Sequence, residues 1–225
     1  GLPAQTEATI QDTFEKVLTL GPDHIAFYSY AHLPGKLKNQ LLIKENLLPR
    51  GVDKFKLFMR ARSLLKVSSY VDIGMDHFAR PGSPLSQAFL ERRLQRSFMG
   101  YTVLKSNILI GLGASAISAS PVAYVQNEKD VKLYETTCLA GNLPHTIGHI
   151  LSTQDKEAEA LIQDLMCHGR VALSANQQSD IRHHLNEDLQ EFIKDDLLHI
   201  EGNQMILTDK GRSFMRNVAA LFDHH

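Results

Sequence analysis

The chain has 225 residues, a formal net charge of −1 and 43% hydrophobic residues, enough apolar content for a core in one large or two small domains. That charge balance leaves no footprint for nucleic acid or an anionic membrane. Cys138 and Cys167 are the only cysteines; they exclude a disulfide framework and a thiolate metal site, and they suit a reducing, cytoplasmic compartment.

Gly1-Leu2-Pro3 has no initiator Met and suggests a start inside a longer protein; no signal peptide or Arg-rich transit segment is readable. Thr6 is suited to cap a helix to about Leu20, with Ile10, Phe14 and Val17 on one face, stopped by Gly21-Pro22. His24 to Tyr30 alternates as a strand. Gly35 to Pro49 reads as a basic loop or short helix. Val52 to Leu65 reads as a helix with Phe55, Phe58, Met59 and Leu65 on its stripe. A strand at Tyr70 comes next, so the order helix, strand, helix, strand implies parallel βα units.

Leu85 to Phe98 reads as a basic helix, Gly100-Tyr101-Thr102 as a turn or short strand, and Ile108 to Leu112 as a buried strand. The uncharged run from Ile108 to Val125 is too rich in Ser, Gly and Ala for a spanning helix, which needs about 20 predominantly apolar residues. Asn127, with Asp130 three residues on, caps a helix ended by Gly141. Ser152 and Asp155 open another, with Leu161, Ile162 and Leu165 inward and Gly169 closing it. Helices around Ile181 to His184 and Leu189 to Leu197 precede a hairpin of Leu198–Ile200 and Met205–Leu207, and Thr208 caps a last helix to about Phe222. Helices leading into a β wing suggest a winged-helix-like end.

The stretch richest in potential chemistry is Tyr70 to Gly82. It reads as a strand with Val71, Ile73 and Met75 on one face, ending in Asp76, His77, Phe78 and Arg80 before the Pro81-Gly82 turn. Polar groups at the carboxyl end of a strand mark sites in α/β proteins; the alternative is that Asp76 caps a turn and His77 packs. Other candidates are weaker. His183-His184 are adjacent on a helix and point about 100° apart, which does not suit a joint metal site. Gly111-x-Gly113 is too short for a dinucleotide fingerprint. Cys167 at a helix C-terminus is disfavoured as a thiolate. His224 and His225 end the chain as solvated residues or a tag remnant.

Several blocks together carry a resemblance: Gly1-Leu2-Pro3-x-Gln5-Thr6, Tyr30-Ala31-His32-Leu33-Pro34, Ile73-Gly74-Met75-Asp76-His77-Phe78-Ala79-Arg80-Pro81, Phe98-x-Gly100-Tyr101-Thr102, Gly111-x-Gly113-x-Ser115-Ala116-Ile117-Ser118, Tyr124-x-Gln126-Asn127 and Thr208-x-Lys210-Gly211-Arg212. In this order they resemble the oxygen-independent coproporphyrinogen III oxidases, radical S-adenosylmethionine (SAM) enzymes of porphyrin biosynthesis. The resemblance covers essentially the whole chain but only the carboxyl-terminal half of such an enzyme; the three-cysteine cluster motif lies in the other half.

The resemblance implies an α/β fold: the last βα units of a partial radical SAM barrel within residues 1–120, then a mostly helical domain, 121–225, with the winged-helix-like end. It implies SAM and a 4Fe-4S cluster in the full-length parent, with oxidative decarboxylation of two propionates of coproporphyrinogen III by way of a 5′-deoxyadenosyl radical. Tyr28 and Ala31 match positions lining the SAM pocket, Ile117 a further SAM contact and Phe98 a position near a second SAM; ordinary core packing is the alternative for each. Asp76, His77 and Arg80 are expected at the rim where the tetracarboxylate enters, with no charge partner for Arg80 evident from sequence. The expected partners are the porphyrinogen and the missing N-terminal half of the protein, with no nucleic acid, no membrane and a monomeric state. The chain alone is expected to bind no cluster and to be inactive. Met99, where the family usually has Gln, and Cys167-His168-Gly169, in place of a Cys-Asn-Phe block, keep a diverged haem-handling paralogue as the alternative. A winged-helix nucleic-acid module is opposed by the acidic excess of residues 186–225.

Overall fold

In the computed structural model, which describes residues 1–184 and 186–223 but no side chains within 180–186, the chain divides into the units Gly1–Arg93 and Leu94–His225. The readings made on the side chains of His183 and His184, and on His224 and His225, lie outside the described residues.

The first unit opens with α1 (Glu7–Leu20). Thr6 accepts from the Thr9 N–H and Thr9 returns a bond to the Thr6 N–H, so two otherwise orphaned donors are satisfied. Gly21 ends the helix in the left-handed region, at φ 58°, where a residue without Cβ is unstrained. Strand β1 (His24–Ala26) is shorter than the alternation to Tyr30 implied. One more ladder bond, from the Phe27 N–H to the Asp76 carbonyl at 2.7 Å, is made before the chain leaves the sheet. The basic segment holds two 3₁₀ turns, Lys38–Leu42 and Glu45–Leu47. Helix α2 (Gly51–Val67) buries Leu57, Ala61, Arg62 and Leu65. Its inward stripe is thus rotated from the expected one, and Phe55 is exposed, because residues four apart stack along a single face.

The largest departure is at the chemistry-rich stretch. It is a hairpin: β2 (Val71–Gly74), a turn at Met75-Asp76, and β3 (His77–Ala79). Met75 takes φ 54°, and a bulge between Asp72 and Gly74 shifts the register. The sheet order is β1-β3-β2, with β3 antiparallel to both neighbours. The strands β1 and β2 do run the same way, but no parallel pair joins them; β3 lies between. Phe78 enters the core with Ile10, Phe14, Leu57, Ala61, Leu65 and Tyr70, and Phe27 meets Phe14 edge-on at 4.9 Å. Ser83 caps α3 (Pro84–Leu90). This helix stops well short of Phe98: Glu91 is its C-cap and Arg92 is left-handed, at φ 55°.

In the second unit, β4 (Gln95–Ser97) and β5 (Gly100–Thr102) form a hairpin. The Tyr101 hydroxyl donates to the Met166 carbonyl at 2.8 Å, and Gln163 donates to the Arg96 carbonyl at 3.1 Å. These bonds tie the hairpin to the helix that carries Gln163 and Met166, within the unit Leu94–His225. Residues 108–112 are not a buried strand. They make a single bridge, Leu109 to Ala119, and Ile108, Ile110 and Leu112 are 62%, 73% and 86% exposed.

The antiparallel sheet β6-β7-β8 comprises Ile117–Ala119, Ala123–Asn127 and His145–Ile150. Asn127 ends β7 instead of capping a helix; Asp130 caps α4 (Val131–Leu139) by accepting from the Leu133 N–H at 2.9 Å. Helix α5 (Thr153–His168) carries the expected Ser152/Asp155 box and left-handed Gly169, and it buries Leu165, Met166 and Cys167. Next come β9 (Arg170–Ala172), α6 (Ala175–His184), α7 (Asn186–Lys194) and the hairpin β10 (Leu198–Glu201) and β11 (Gln204–Leu207), in a sheet of order β10-β11-β9. The last helix is broken into a 3₁₀ turn at Gly211–Phe214, α8 (Met215–Ala219) and a 3₁₀ turn at Ala220–Phe222. No described helix is long and apolar enough to cross a membrane.

Candidate functional site

The hairpin brings most of the first unit's expected residues to one face of the sheet. Register pairs His24 with Ala79 and Ala26 with His77, so His24 and His77 are diagonal neighbours on that face. Their ring centroids are 5.2 Å apart, and Tyr28 stands edge-on to His77 at 5.8 Å. Asp76 Oδ1 lies 2.7 Å from His77 Nδ1. A carboxylate only accepts, so the shared proton sits on Nδ1 and fixes the tautomer. His77 is 3% exposed whereas Tyr28 is 64% exposed: the imidazole is locked in the sheet, and the phenol ring is open on its outer side.

Arg80 leaves β3 and is tied at both levels to Asp23. Its N–H donates to the Asp23 carbonyl at 2.8 Å and its guanidinium pairs with the Asp23 carboxylate. The charge partner not evident from sequence is therefore Asp23. Both side chains are more than half exposed, and such a pair contributes about 0–1 kcal/mol. Behind the sheet, Arg62 Nε donates to Asp72 Oδ2 at 2.8 Å, and both groups are nearly buried. Ala31 lies in the segment after β1, which Gln40 holds by donating to the Ala31 carbonyl at 3.0 Å and accepting from the Leu33 N–H.

In the second unit, Phe98 lies at the β4–β5 turn, 54% exposed, edge-on to Tyr124 at 5.2 Å. Tyr124 donates to Glu159 at 2.6 Å. Burial, then that hydrogen bond and the Glu159 and Asp155 charges, push the Tyr124 phenol well above its ordinary range, so it is a fixed donor at neutral pH. Ile117 starts β6 beside a glycine loop. A Cβ on Gly111 would come within 2.7–2.9 Å of the Ile117 backbone, so only glycine fits there. Asn127, 3% exposed, donates to the Gly111 and Gly113 carbonyls at 3.1 and 2.9 Å, and the Gly113 N–H donates to the Tyr134 hydroxyl at 3.1 Å.

Sequence reasoning missed His24, Gln40, Asn127 and Tyr134. Only Asn127 stands out in sequence, as the end of the Tyr124-x-Gln126-Asn127 block, and there it reads as a helix cap. The two cysteines do not suit a cluster: Cys138 is exposed on α4 and Cys167 is buried. Burial pushes the Cys167 thiol up to about 12, with Arg96 opposing and Asp164 reinforcing the shift. Among the described residues no group of three or more His, Cys, Asp or Glu could hold a metal ion.

Burial, and then the neighbouring His77, lowers the pKa of His24 below its ordinary value. A histidine with a depressed folded pKa favours the fold above its unfolded pKa and opposes it as pH falls. His24→Gln is therefore expected to flatten the loss of thermal stability between about pH 7 and 5; an unchanged pH profile of Tm would show that the pair is decoupled.

No family model matches the chain. It is 34% identical over 230 residues to an oxygen-independent coproporphyrinogen III oxidase of Bradyrhizobium diazoefficiens, covering 100% of this chain and 51% of the relative. It is 35% identical over 231 residues to one of Thermostichus vulcanus, covering 99% of this chain and 71% of that relative. It also superposes on the solved coproporphyrinogen III oxidase of Escherichia coli, a radical SAM enzyme, with a TM-score of 0.87 at 35% identity, over 100% of this chain and 53% of the other. The chain spans about half the length of most of the curated relatives it matches. With its whole length matched at this identity, the chain belongs to the oxygen-independent coproporphyrinogen III oxidase family.

Proposed function

We propose that the full-length protein is a cytoplasmic radical SAM enzyme that decarboxylates two propionates of coproporphyrinogen III to vinyl groups, giving protoporphyrinogen IX. The observation that carries this reading is the end-to-end match at 34–35% identity, together with the fold superposition. On this reading residues 1–93 supply the last strands of the partial barrel. The helix–strand–helix–helix–hairpin order from α5 to β11 is that of a winged-helix module, used here for packing rather than for phosphate.

In the first unit Tyr28 and Ala31 would contact SAM; in the second, Ile117 would offer a further SAM contact and Phe98 one near a second SAM. Their chemistry fits: Tyr28 and Phe98 present open aromatic faces able to meet an adenine or a sulfonium, and Ala31 and Ile117 sit on braced backbone. When bound, SAM supplies the radical that removes a propionate hydrogen. The 4Fe-4S cluster does not fit this chain's cysteines and belongs to the other half. The exposed run Ile108, Ile110 and Leu112, with Ile147 and Ile150 on β8, supports the reading that the other half covers this surface. The working state on this reading is a monomer.

Within the chain, Asp76 fixes the His77 ring and Arg80 offers a guanidinium at an exposed sheet end. A guanidinium meets a carboxylate with two parallel hydrogen bonds, and Asp23 holds Arg80 in place until a propionate competes for it. Arg80→Ala in the full-length protein is expected to weaken substrate binding about five- to a hundredfold, the effect of one charge-assisted pair worth about 1–3 kcal/mol, with Tm nearly unchanged. Arg80→Lys should recover only part. A lowered Tm with unaltered affinity would make the Asp23 pair purely structural. The function itself is tested by incubating the reconstituted full-length protein anaerobically with SAM, a reductant and coproporphyrinogen III. Formation of protoporphyrinogen IX supports the reading; tight porphyrin binding without carbon dioxide release would instead support a haem-handling relative.

A further inference from the structure

A cleft of about 440 Å³ opens in the first unit, lined by Tyr30, His32, Glu45, Arg50, Gly51 and Lys54 among others and not by His77. Its polar groups are held but not exhausted. Lys54 Nζ donates to the Tyr30 carbonyl at 2.6 Å, and an ammonium has three donors. Arg50 Nη2 donates to Glu45 at 2.6 Å, one of five guanidinium donors. The Tyr30 hydroxyl lies 3.2 Å from His32 Nδ1, and His32 Nε2 lies 3.8 Å from Glu45, so the imidazole and the phenol brace each other on the cleft wall. Against two fixed cations the wall carries one carboxylate, Glu45, and that one is already engaged by Arg50.

The floor adds to the same sign. Helix α2 begins at Gly51, and no side chain caps it. The first N–H groups of a helix of this length attract an anion. Gly51 itself is left-handed, at φ 50°, with open space where a Cβ would be. The helix end is therefore not shielded from the cleft by a side chain.

We propose that this cleft binds carboxylate and, in the full-length enzyme, seats one propionate arm of the tetrapyrrole that is not the arm met by Arg80. Identifying the arm rests on the function proposed above; the carboxylate preference rests on the cleft alone. Lys54 and Arg50 bind the anion directly, and His32 positions the wall through Tyr30.

The test uses the full-length protein, because Gly1 also lines the cleft. Two tetrapyrrole probes and one ring-free carboxylate are titrated into wild type, Lys54→Met and an Arg50→Gln/Lys54→Met double variant, with Tm recorded for each. One is coproporphyrin III, the stable tetracarboxylate; the other is its tetramethyl ester. Benzene-1,3,5-tricarboxylate serves as a carboxylate with no tetrapyrrole ring. Loss of one charge-assisted contact should raise the Kd for the free acids about tenfold in the single variant and further in the double, while the ester binds all three proteins alike. Coproporphyrin binding that ignores both substitutions overturns the cleft and leaves the proposed function standing. Tricarboxylate binding that depends on Lys54, without coproporphyrin binding, overturns the tetrapyrrole reading and keeps the cleft as a carboxylate site. Equal losses for acid and ester overturn a charge-based role.

Discussion

Gly211→Ala is expected to destabilise the second unit by about 3 kcal/mol or more. A Cβ at this position would overlap the Leu197 carbonyl oxygen, far inside van der Waals contact distance, and would lie 2.7 Å from its carbon. That oxygen has no freedom to retreat. It accepts from the Thr208 N–H at 3.0 Å, and the Thr208 hydroxyl that approaches it also accepts from the Gly211 N–H at 2.9 Å. Leu197 and Leu198 on the other side of the contact are buried. Relief of the clash must therefore break the junction between α7, β10 and the Gly211–Phe214 turn. Urea denaturation monitored by circular dichroism measures the cost. Gly202→Ala is the comparison: Gly202 is left-handed, at φ 63°, which Gly211 is not, but it has open space where a Cβ would be, and should cost about 1–2 kcal/mol. Similar losses at the two glycines would show that the Leu197 contact relaxes.

Arg62→Met is expected to cost about 1–3 kcal/mol, the range for losing one charge-assisted hydrogen bond in a buried setting. Arg62 is 5% and Asp72 11% exposed in their side chains, so water replaces little of the lost 2.8 Å contact. Arg62→Met with Asp72→Leu should recover most of the loss, since apolar groups of similar volume often replace such pairs without penalty. Asp72 sits on β2 directly across from Phe78, so the single variant should also loosen the strand that carries His77. Chemical denaturation of both variants decides the matter. A single-variant cost under about 1 kcal/mol would mean that the carboxylate is solvated through another route.

Much of the fold is legible in sequence where the signal is local. The cap at Thr6, the stops at Gly21 and Gly169, the Ser152/Asp155 box and the β10–β11 hairpin depend on neighbouring residues and hold. Failures arise where a distant partner decides. Met75 and Asp76 look like the end of a strand because the alternation continues through Ile73; that the chain reverses there depends on β1 supplying the second edge of β3. The run from Ile108 to Leu112 is apolar and reads as buried, but hydrophobicity records what a segment prefers to touch, not whether the partner lies in the same chain. At the site, Asp76, His77 and Arg80 are visible as residue types in a row. The relations that define them, to His24, Tyr28 and Asp23, are cross-strand and require the register.

The place of β3 in its sheet has a kinetic meaning. The β2–β3 hairpin closes through a two-residue turn, an event of about 1–10 μs. β1 reaches β3 only across the 3₁₀ turns and the whole of α2, and this long closure carries an added entropic cost. His77 is therefore enclosed in two stages, first beside β2 and later against His24 and Tyr28. The same late step makes two bonds that flank the ladder, Phe27 N–H to Asp76 and Arg80 N–H to Asp23, one at each end of β1. Freeing the β1 edge requires breaking these two bonds together with the His24–Ala26 ladder to β3. The β1–β3 seam is thus the long-range closure of the first unit, and it runs past the residues expected to meet substrate and cofactor.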